Sequence, residues 1–317
     1  SGAGGRVVLP VFLGRQTGAA GVWPAYAPGA GLALGGLEGW EGRDGQRAPR
    51  MPRATFPVPE LAAGAALLGN VHQNPEPDGV YRRIGLFTLF DGRPVPSLAL
   101  AAYLAARPGA AASLVPGGME LDGRRIRLDE SGQALIRYRA PAAAYRSYSA
   151  ADIVRSELLL REGKAPLVRP EEFRGAFVFF GFSAPGLFDL RPAPVSGVYS
   201  GVEIHAQTLG NILAGDFLRE APLAASILLA ALLALGAALC CSLGSGTLPA
   251  LTAVAVFGPL PVALSCGAYA AGIVLPLMLL EASTGLALGA AILRGYATEG
   301  RQKRFIKSAF RQYLSPA

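Results

Sequence analysis

APLAASILLAALLALGAALCCSLGSGTLPALTAVAVFGPLPVALSCGAYAAGIVLPLMLLEASTGLALGAAIL, residues Ala221 to Leu293, holds a single charged side chain, Glu281, in 73 positions. A bilayer core takes about 20 apolar residues per helix. One unbroken helix of this length would run roughly 110 Å at 1.5 Å per residue, so the block must fold back on itself. Small and turn-forming residues cluster at Ser242–Thr247 and again at Cys266–Gly272. These breaks predict three transmembrane helices over about residues 222–243, 248–267 and 271–293.

What flanks the block gives it a direction. The chain has 317 residues and a net charge of +7. Arg294, Arg301, Lys303, Arg304, Lys307 and Arg311 stand against Glu299 alone, so +5 of that charge follows the last span. This is the positive-inside pattern, and it speaks against a nucleic-acid partner, whose phosphates call for a basic face on a folded domain. A cytoplasmic tail and three spans place residues 1–219 on the other side, periplasmic or at the cell surface, in a multi-pass membrane protein. Cys240, Cys241 and Cys266 all fall within the spans, so the outer region has no disulfide framework. The chain opens Ser1-Gly-Ala-Gly-Gly5 and runs directly into an apolar segment, with no visible export signal. We therefore expect a membrane anchor before Ser1 and an output domain after Ala317.

The outer region alternates strand-like and helix-like runs, as α/β layered domains do. Strands are expected at Val7–Phe12, Tyr81–Phe90 and Phe173–Phe182, the last being the most apolar and central. Helices are expected at Val58–Leu68, Pro96–Ala106, Ser149–Val154 and Gly201–Leu213. Asp129-Glu-Ser-Gly132 reads as the turn of a hairpin between Arg124–Leu128 and Gln133–Arg139. Ala19–Arg53, rich in Gly, Pro and Arg, reads as a long irregular loop.

No catalytic constellation emerges. Gly181-Phe-Ser183-Ala-Pro185 has Pro where a nucleophile elbow needs Gly. The two histidines, His72 and His205, are not evident triad partners. Glu203 and His205, two apart, point to different faces of a helix and lack a third metal ligand. The glycines of Gly29-Ala-Gly31 and Gly35-Gly36 lack the strand-turn-helix setting of a dinucleotide fingerprint. Glu281 is costly at bilayer depth. It reads either as a functional charge or as a group that faces another helix and is paired with Ser283 or Thr284, or is protonated.

Several segments, in order, resemble one sensor family. These are Asn70–Arg83 with Asp78, Gly79 and Arg82; Pro96-Ser-Leu-Ala-Leu100; Tyr148–Val154; and Phe177–Asp189 with Gly181, Ser183 and Asp189. The last is Gly201–Leu213 with Glu203, His205 and Asn211. Together, and with three spans directly after them, they resemble the second CHASE-type family (cyclases/histidine kinases associated sensory extracellular). The Gly-rich Ala19–Arg53 departs from its pattern. The resemblance implies an extracytoplasmic sensor domain over 1–219, with the quoted residues structural or ligand-binding, and an unidentified extracytoplasmic ligand. It also implies a cytoplasmic output: a nucleotide cyclase, a histidine kinase, a Ser/Thr kinase or a diguanylate cyclase. Residues 294–317 would be the coupling helix. Their Phe310-Arg-Gln-Tyr313-Leu-Ser-Pro316 is similar to the junction before class III adenylate cyclase domains, which build their active sites between two subunits. A homodimer follows. Cofactors are expected only in that output domain, as ATP and a divalent metal, with none in this chain. Ile306, Phe310 and Tyr313 form one apolar helical stripe, suited to a partner helix or to anionic membrane lipid. A transporter-associated subunit is the rival from another class, weakened by the scarcity of intramembrane polar groups. A tethered external enzyme lacks any catalytic residues to support it.

Overall fold

The computed structural model describes residues 7–29, 32–43, 45–139, 145–182, 190–243 and 247–313, apart from the side chains of 299–305 and 307–313. Two compact units divide the chain, residues 1–217 and 218–317.

The first unit begins with β1 (Val8–Gly14), which alternates buried and exposed residues toward its end. It pairs in parallel with β4 (Leu67–Asn70) and antiparallel with β3 (Arg53–Thr55), giving the order β3-β1-β4. A second sheet has the order β10-β9-β8-β2, from β2 (Leu34–Gly35), β8 (Ala112–Val115), β9 (Gly118–Leu121) and β10 (Arg124–Arg127). Among the described residues, three two-stranded ladders join these sheets: β5 (Arg83–Gly85) with β11 (Gln133–Leu135), β6 (Phe87–Phe90) with β7 (Arg93–Pro96), and β12 (Leu190–Ala193) with β13 (Ser196–Ser200). Single helical turns, α1 (Leu37–Trp40) and α2 (Pro59–Ala62), link the early strands.

Helix α3 (Leu98–Ala106) is apolar on every side, and a helix of that kind has to be buried. It packs against β1, β4 and α5 (Gly201–Ala214). Ser97 starts α3 by accepting the Leu100 N–H at 3.3 Å. The helix comes so close to β4 that a Cβ on Gly69 would lie 2.6 Å from the Leu98 Cα. Leu100, Phe87, Tyr199 and Ile204 form the centre of the larger core, and Trp40 packs edge-on against Phe87. A smaller core of Val11, Leu13, Leu68, Phe90 and Val95 lies around β1.

Several expected elements come out differently. Phe173–Phe182 is not a central strand. A 3-10 turn spans Pro170–Phe173, and residues 174–182 carry no regular structure. β-propensity records how well side chains fit a pleated surface, and among the described residues this run pairs with no strand that would supply one. Arg124–Leu128 and Gln133–Arg139 do not form one hairpin. Asp129 Oδ1 accepts the N–H groups of Ser131 and Gln133, both at 2.9 Å, and this turn sends β11 to β5 while β10 stays with β9. The helix expected at Val58–Leu68 stops after one turn, and Leu67–Leu68 belong to β4. The strand expected at Tyr81–Phe90 divides at Leu86 into β5 and β6. The Ala19–Arg53 loop contributes β2 to a sheet and a fully buried Trp40 to the core. Helix α4 (Ala150–Arg161) runs well past Val154 and leaves Val154 and Leu158 exposed.

Among its described residues, the second unit holds three helical segments long and apolar enough to cross a membrane, Leu223–Ser242, Leu248–Ala270 and Leu277–Thr298. The first is α6 (Leu223–Ser242). The second is broken at Gly258–Pro259 into α7 (Leu248–Phe257) and α8 (Leu260–Ala270). Pro259 and Pro261 lack the N–H groups that would continue the ladder. The third continues without interruption as α9 (Leu277–Tyr313), 37 residues long. Ahead of α6, β14 (Arg219–Glu220) pairs in parallel with β15 (Ile273–Val274). Ala230, Leu233 and Ala237 of α6 face Leu280 and Leu288 of α9. Gly236 lets the Phe257 ring approach to where a Cβ would be 2.9 Å away. Leu228, Leu232, Leu239, Met278, Leu286 and Leu293 are exposed, as lipid-facing side chains are.

Gly69→Ala is expected to destabilise the first unit by about 1–3 kcal/mol through overpacking against α3. Gly39→Ala, where a Cβ meets nothing, should leave stability unchanged. Both tryptophans, Trp23 and Trp40, lie in this unit. Trp fluorescence during unfolding of the reconstituted chain therefore reports on it alone, and equal midpoints for the two variants would contradict the close approach.

Candidate functional site

The residues singled out in the sequence separate into three groups. Asp78, Gly79 and Arg82 build a surface turn. Asp78 Oδ1 accepts the Val80 N–H at 3.1 Å, and Gly79 takes a φ of 82° that favours glycine. Arg82 Nη1 donates to Glu76 at 2.8 Å and to Asp78 at 2.9 Å. The Val80 N–H, with the Arg82 guanidinium second, holds the Asp78 carboxyl below its ordinary range. This is the chemistry of a fixed turn.

The second group organises α5. Ser200 Oγ accepts the Glu203 N–H, and the Glu203 carboxylate reaches back to the Ser200 N–H at 3.2 Å, a reciprocal cap. About two turns further on, fully buried Asn211 binds the backbone of residue 137 with both ends of its amide. Its Oδ1 accepts the Arg137 N–H at 2.9 Å, and its Nδ2 donates to the Arg137 carbonyl at 3.1 Å. Gln207 Nε2 donates to the same carbonyl at 2.9 Å. Asn211 and Glu203 thus position the helix.

The third group meets at a cleft of about 1040 Å³. One wall is β1, with Val8, Pro10 and Phe12. Another is the outer side of α3, with Leu98, Ala102 and Ala105. The extended segment Gly175–Phe182 closes a third side, and Gly201, Val202 and His205 of α5 line the inner end. Gly181 allows that segment to touch α5, since a Cβ there would sit 2.6 Å from the Val202 Cβ. Phe179 turns inward to the core, whereas Phe180 is 78% exposed. Gly181, Gly201 and His205 are therefore brought together. Ser183 and Asp189 lie outside the described residues.

His205 is the polar end of the cleft. Its Nε2 lies 3.0 Å from Gln73 Nε2. Burial pushes its pKa down to about 4, outweighing the Val71 backbone, which favours the charged ring. His205 Nδ1 and Gln73 Oε1 are buried without a hydrogen-bond partner. Arg191 also lines the cleft and donates to Tyr81 Oη at 2.8 Å, its guanidinium lying over that ring. Gln73 and Arg191 were not singled out in the sequence. Gln73 sits inside the Asn70–Arg83 segment, and nothing local distinguishes it; its partner is 132 positions away.

Among the described residues no cluster of His, Cys, Asp and Glu could hold a metal ion. In the membrane unit, Glu281 is half-buried on α9. Ser283 Oγ donates to the Leu280 carbonyl at 3.0 Å, and Thr284 Oγ1 is buried with no partner.

A neutral buried His205 makes the first unit acid-sensitive in a defined window. The unfolded ring binds a proton below about pH 6.5 and the folded ring only below about 4. Stability is therefore fully present above 6.5 and declines as pH falls toward 4, by up to about 3 kcal/mol at ~1.4 kcal/mol per unit. His205→Gln should flatten that stretch of the stability profile. Parallel profiles for variant and wild type would show that the ring does not titrate in this way.

The CHASE2 domain family model matches residues 9–243, from β1 through the end of α6. No curated protein and no solved structure matches the chain. The match takes in the cores of the first unit, all of the cleft lining but Val7 and Val8, and the first candidate membrane helix. The chain belongs to the CHASE2 family, whose domain is an extracytoplasmic sensor.

Proposed function

We propose that this chain is the sensing and membrane part of a receptor that regulates a class III adenylate cyclase following Pro316, and so cAMP synthesis. The observation that carries the reading is the continuity of α9. Its first 22 residues are apolar enough to cross a bilayer, and the same helix runs on through the basic segment to Tyr313. A helix leaving the membrane unbroken is a direct mechanical link to whatever follows it. The resemblance of Phe310–Pro316 to a cyclase junction supports the cyclase output over a histidine or Ser/Thr kinase. Charge supports the orientation, with the first unit outside and the basic end in the cytoplasm. ATP and a divalent metal belong to the output domain. Dimerisation follows from the demand that two catalytic halves meet. Because the backbone is helical through Tyr313, Ile306, Phe310 and Tyr313 fall on one face. That face is suited to a second copy of α9.

Two measurements test this. A phosphatase fused after Leu218 should be active and a fluorescent protein fused after Pro316 should fluoresce. An inactive phosphatase on a correctly expressed chain would reverse the orientation. In the full-length receptor, Phe310→Ala should uncouple cAMP production from the stimulus while leaving membrane insertion intact. Cysteine crosslinks along Gln302–Tyr313, in a chain lacking Cys240, Cys241 and Cys266, should peak every three to four residues. Uniform or absent crosslinks in an active receptor would point to a lipid-anchored helix instead.

A further inference from the structure

We infer that the cleft beside β1 is a binding site for a neutral, mostly apolar small molecule with a hydroxyl or carboxamide at one end. This deepens the receptor reading, because it rests on the first unit being a sensor. The body of the ligand is set by the walls. Val8, Pro10, Phe12, Leu98 and Phe177 offer carbon surface, and about 1040 Å³ is just above the range of ordinary small-molecule sites.

The polar end is set by the Gln73–His205 pair. Either orientation of the Gln73 amide leads to the same requirement. If its NH₂ faces the ring, it donates to His205 Nε2, leaving the Gln73 carbonyl oxygen as an unused acceptor and His205 Nδ1–H as an unused donor. If the amide is turned over, His205 Nε2–H donates to the carbonyl oxygen. The Gln73 NH₂ is then the unused donor and His205 Nδ1 the unused acceptor. In both cases the pair lacks one donor and one acceptor from outside. The Val71 backbone approaches the ring without hydrogen-bond geometry at Nδ1. An end group that both donates and accepts completes the pair, as a hydroxyl or carboxamide does and an ether does not. Both orphaned atoms are buried, so the ligand reaches them by parting the wall that covers them.

The wall able to move is Gly175–Phe182. Among the described residues, the backbone of 177–182 enters no sheet ladder. Gly175 has a φ of 69° with nothing near its Cβ position, which makes it a permissive pivot. Gly181 fixes the other end against Val202. A ligand body in the cleft gives this segment an apolar surface to settle on.

The test uses the whole chain in lipid nanodiscs, with 2-naphthol, 2-naphthamide, 2-methoxynaphthalene and 2-naphthoate as probes. Hydrogen exchange of the 175–182 peptide is followed against probe concentration. Naphthol and naphthamide should protect that peptide saturably. The methoxy compound, which accepts but cannot donate, should need at least about five-fold more. Ala102→Trp, which fills the cleft from the half-buried side of α3 that lines it, should abolish protection while leaving exchange in β6 and β7 unchanged. This separates the site from probe dissolved in the bilayer. Gln73→Leu should erase the preference for naphthol over its ether. Equal protection by all probes, or protection that survives Ala102→Trp, would overturn the site. Tightest binding by naphthoate would replace the neutral end group with an anion read by Arg191. Binding as described, without any change in cAMP output from the full-length receptor, would leave the site standing and refute the receptor reading.

Discussion

A peptide group in hydrocarbon finds no water to bond with, so every N–H and C=O there must be satisfied within the chain. That single requirement shapes the second unit. It forces Leu223–Ser242, Leu248–Ala270 and Leu277–Thr298 into helices, and it makes any lapse in the ladder a local event needing cover. The lapse at Gly258–Pro259 is of this kind. Helices α7 and α8 restart around it, and the Gly258 N–H still reaches the Val254 carbonyl at 2.9 Å. The same requirement explains why Ser283 and Thr252 turn their hydroxyls back onto helix carbonyls.

In the first unit the equivalent organiser is α5. Its N-terminus is closed by Ser200 and Glu203, its middle supplies His205 to the cleft, and its last turns hold residue 137 through Gln207 and Asn211. One helix thus joins the β13 end of the chain, the segment after β11 and the cleft wall.

The sequence made the apolar block, its three spans and the α/β character of the preceding region legible, because hydropathy and periodicity are local properties. The helices at 98–106 and 201–214 were legible for the same reason. Pairing was not. The runs on either side of Asp129 look like hairpin partners, yet each finds its neighbour elsewhere, since register depends on surfaces distant in sequence. The Phe177–Phe182 run has strand composition, yet among the described residues it pairs with no strand. Of the cleft, His205 and the two glycines were visible within motifs. Gln73 and Arg191 were not, because their importance comes from what folding brings next to them. The midspan proline break was written in the sequence, but a hydropathy block weighs Pro259 as one residue among twenty.

The contrast between a broken second span and an unbroken third has a consequence in angular terms. A segment hinged at Gly258 can absorb a twist between its halves, whereas α9 cannot. Successive residues on an α-helix are offset by roughly 100°. Each position in α9 therefore has a fixed azimuth relative to every other from Leu277 to Tyr313. A rotation imposed at the top arrives at the bottom with its phase intact. Inserting or deleting one residue below the membrane would turn the emerging face by more than a quarter circle, and four residues would nearly restore it. The length of this helix, counted modulo its own turn, is thus as much a part of its chemistry as any side chain on it.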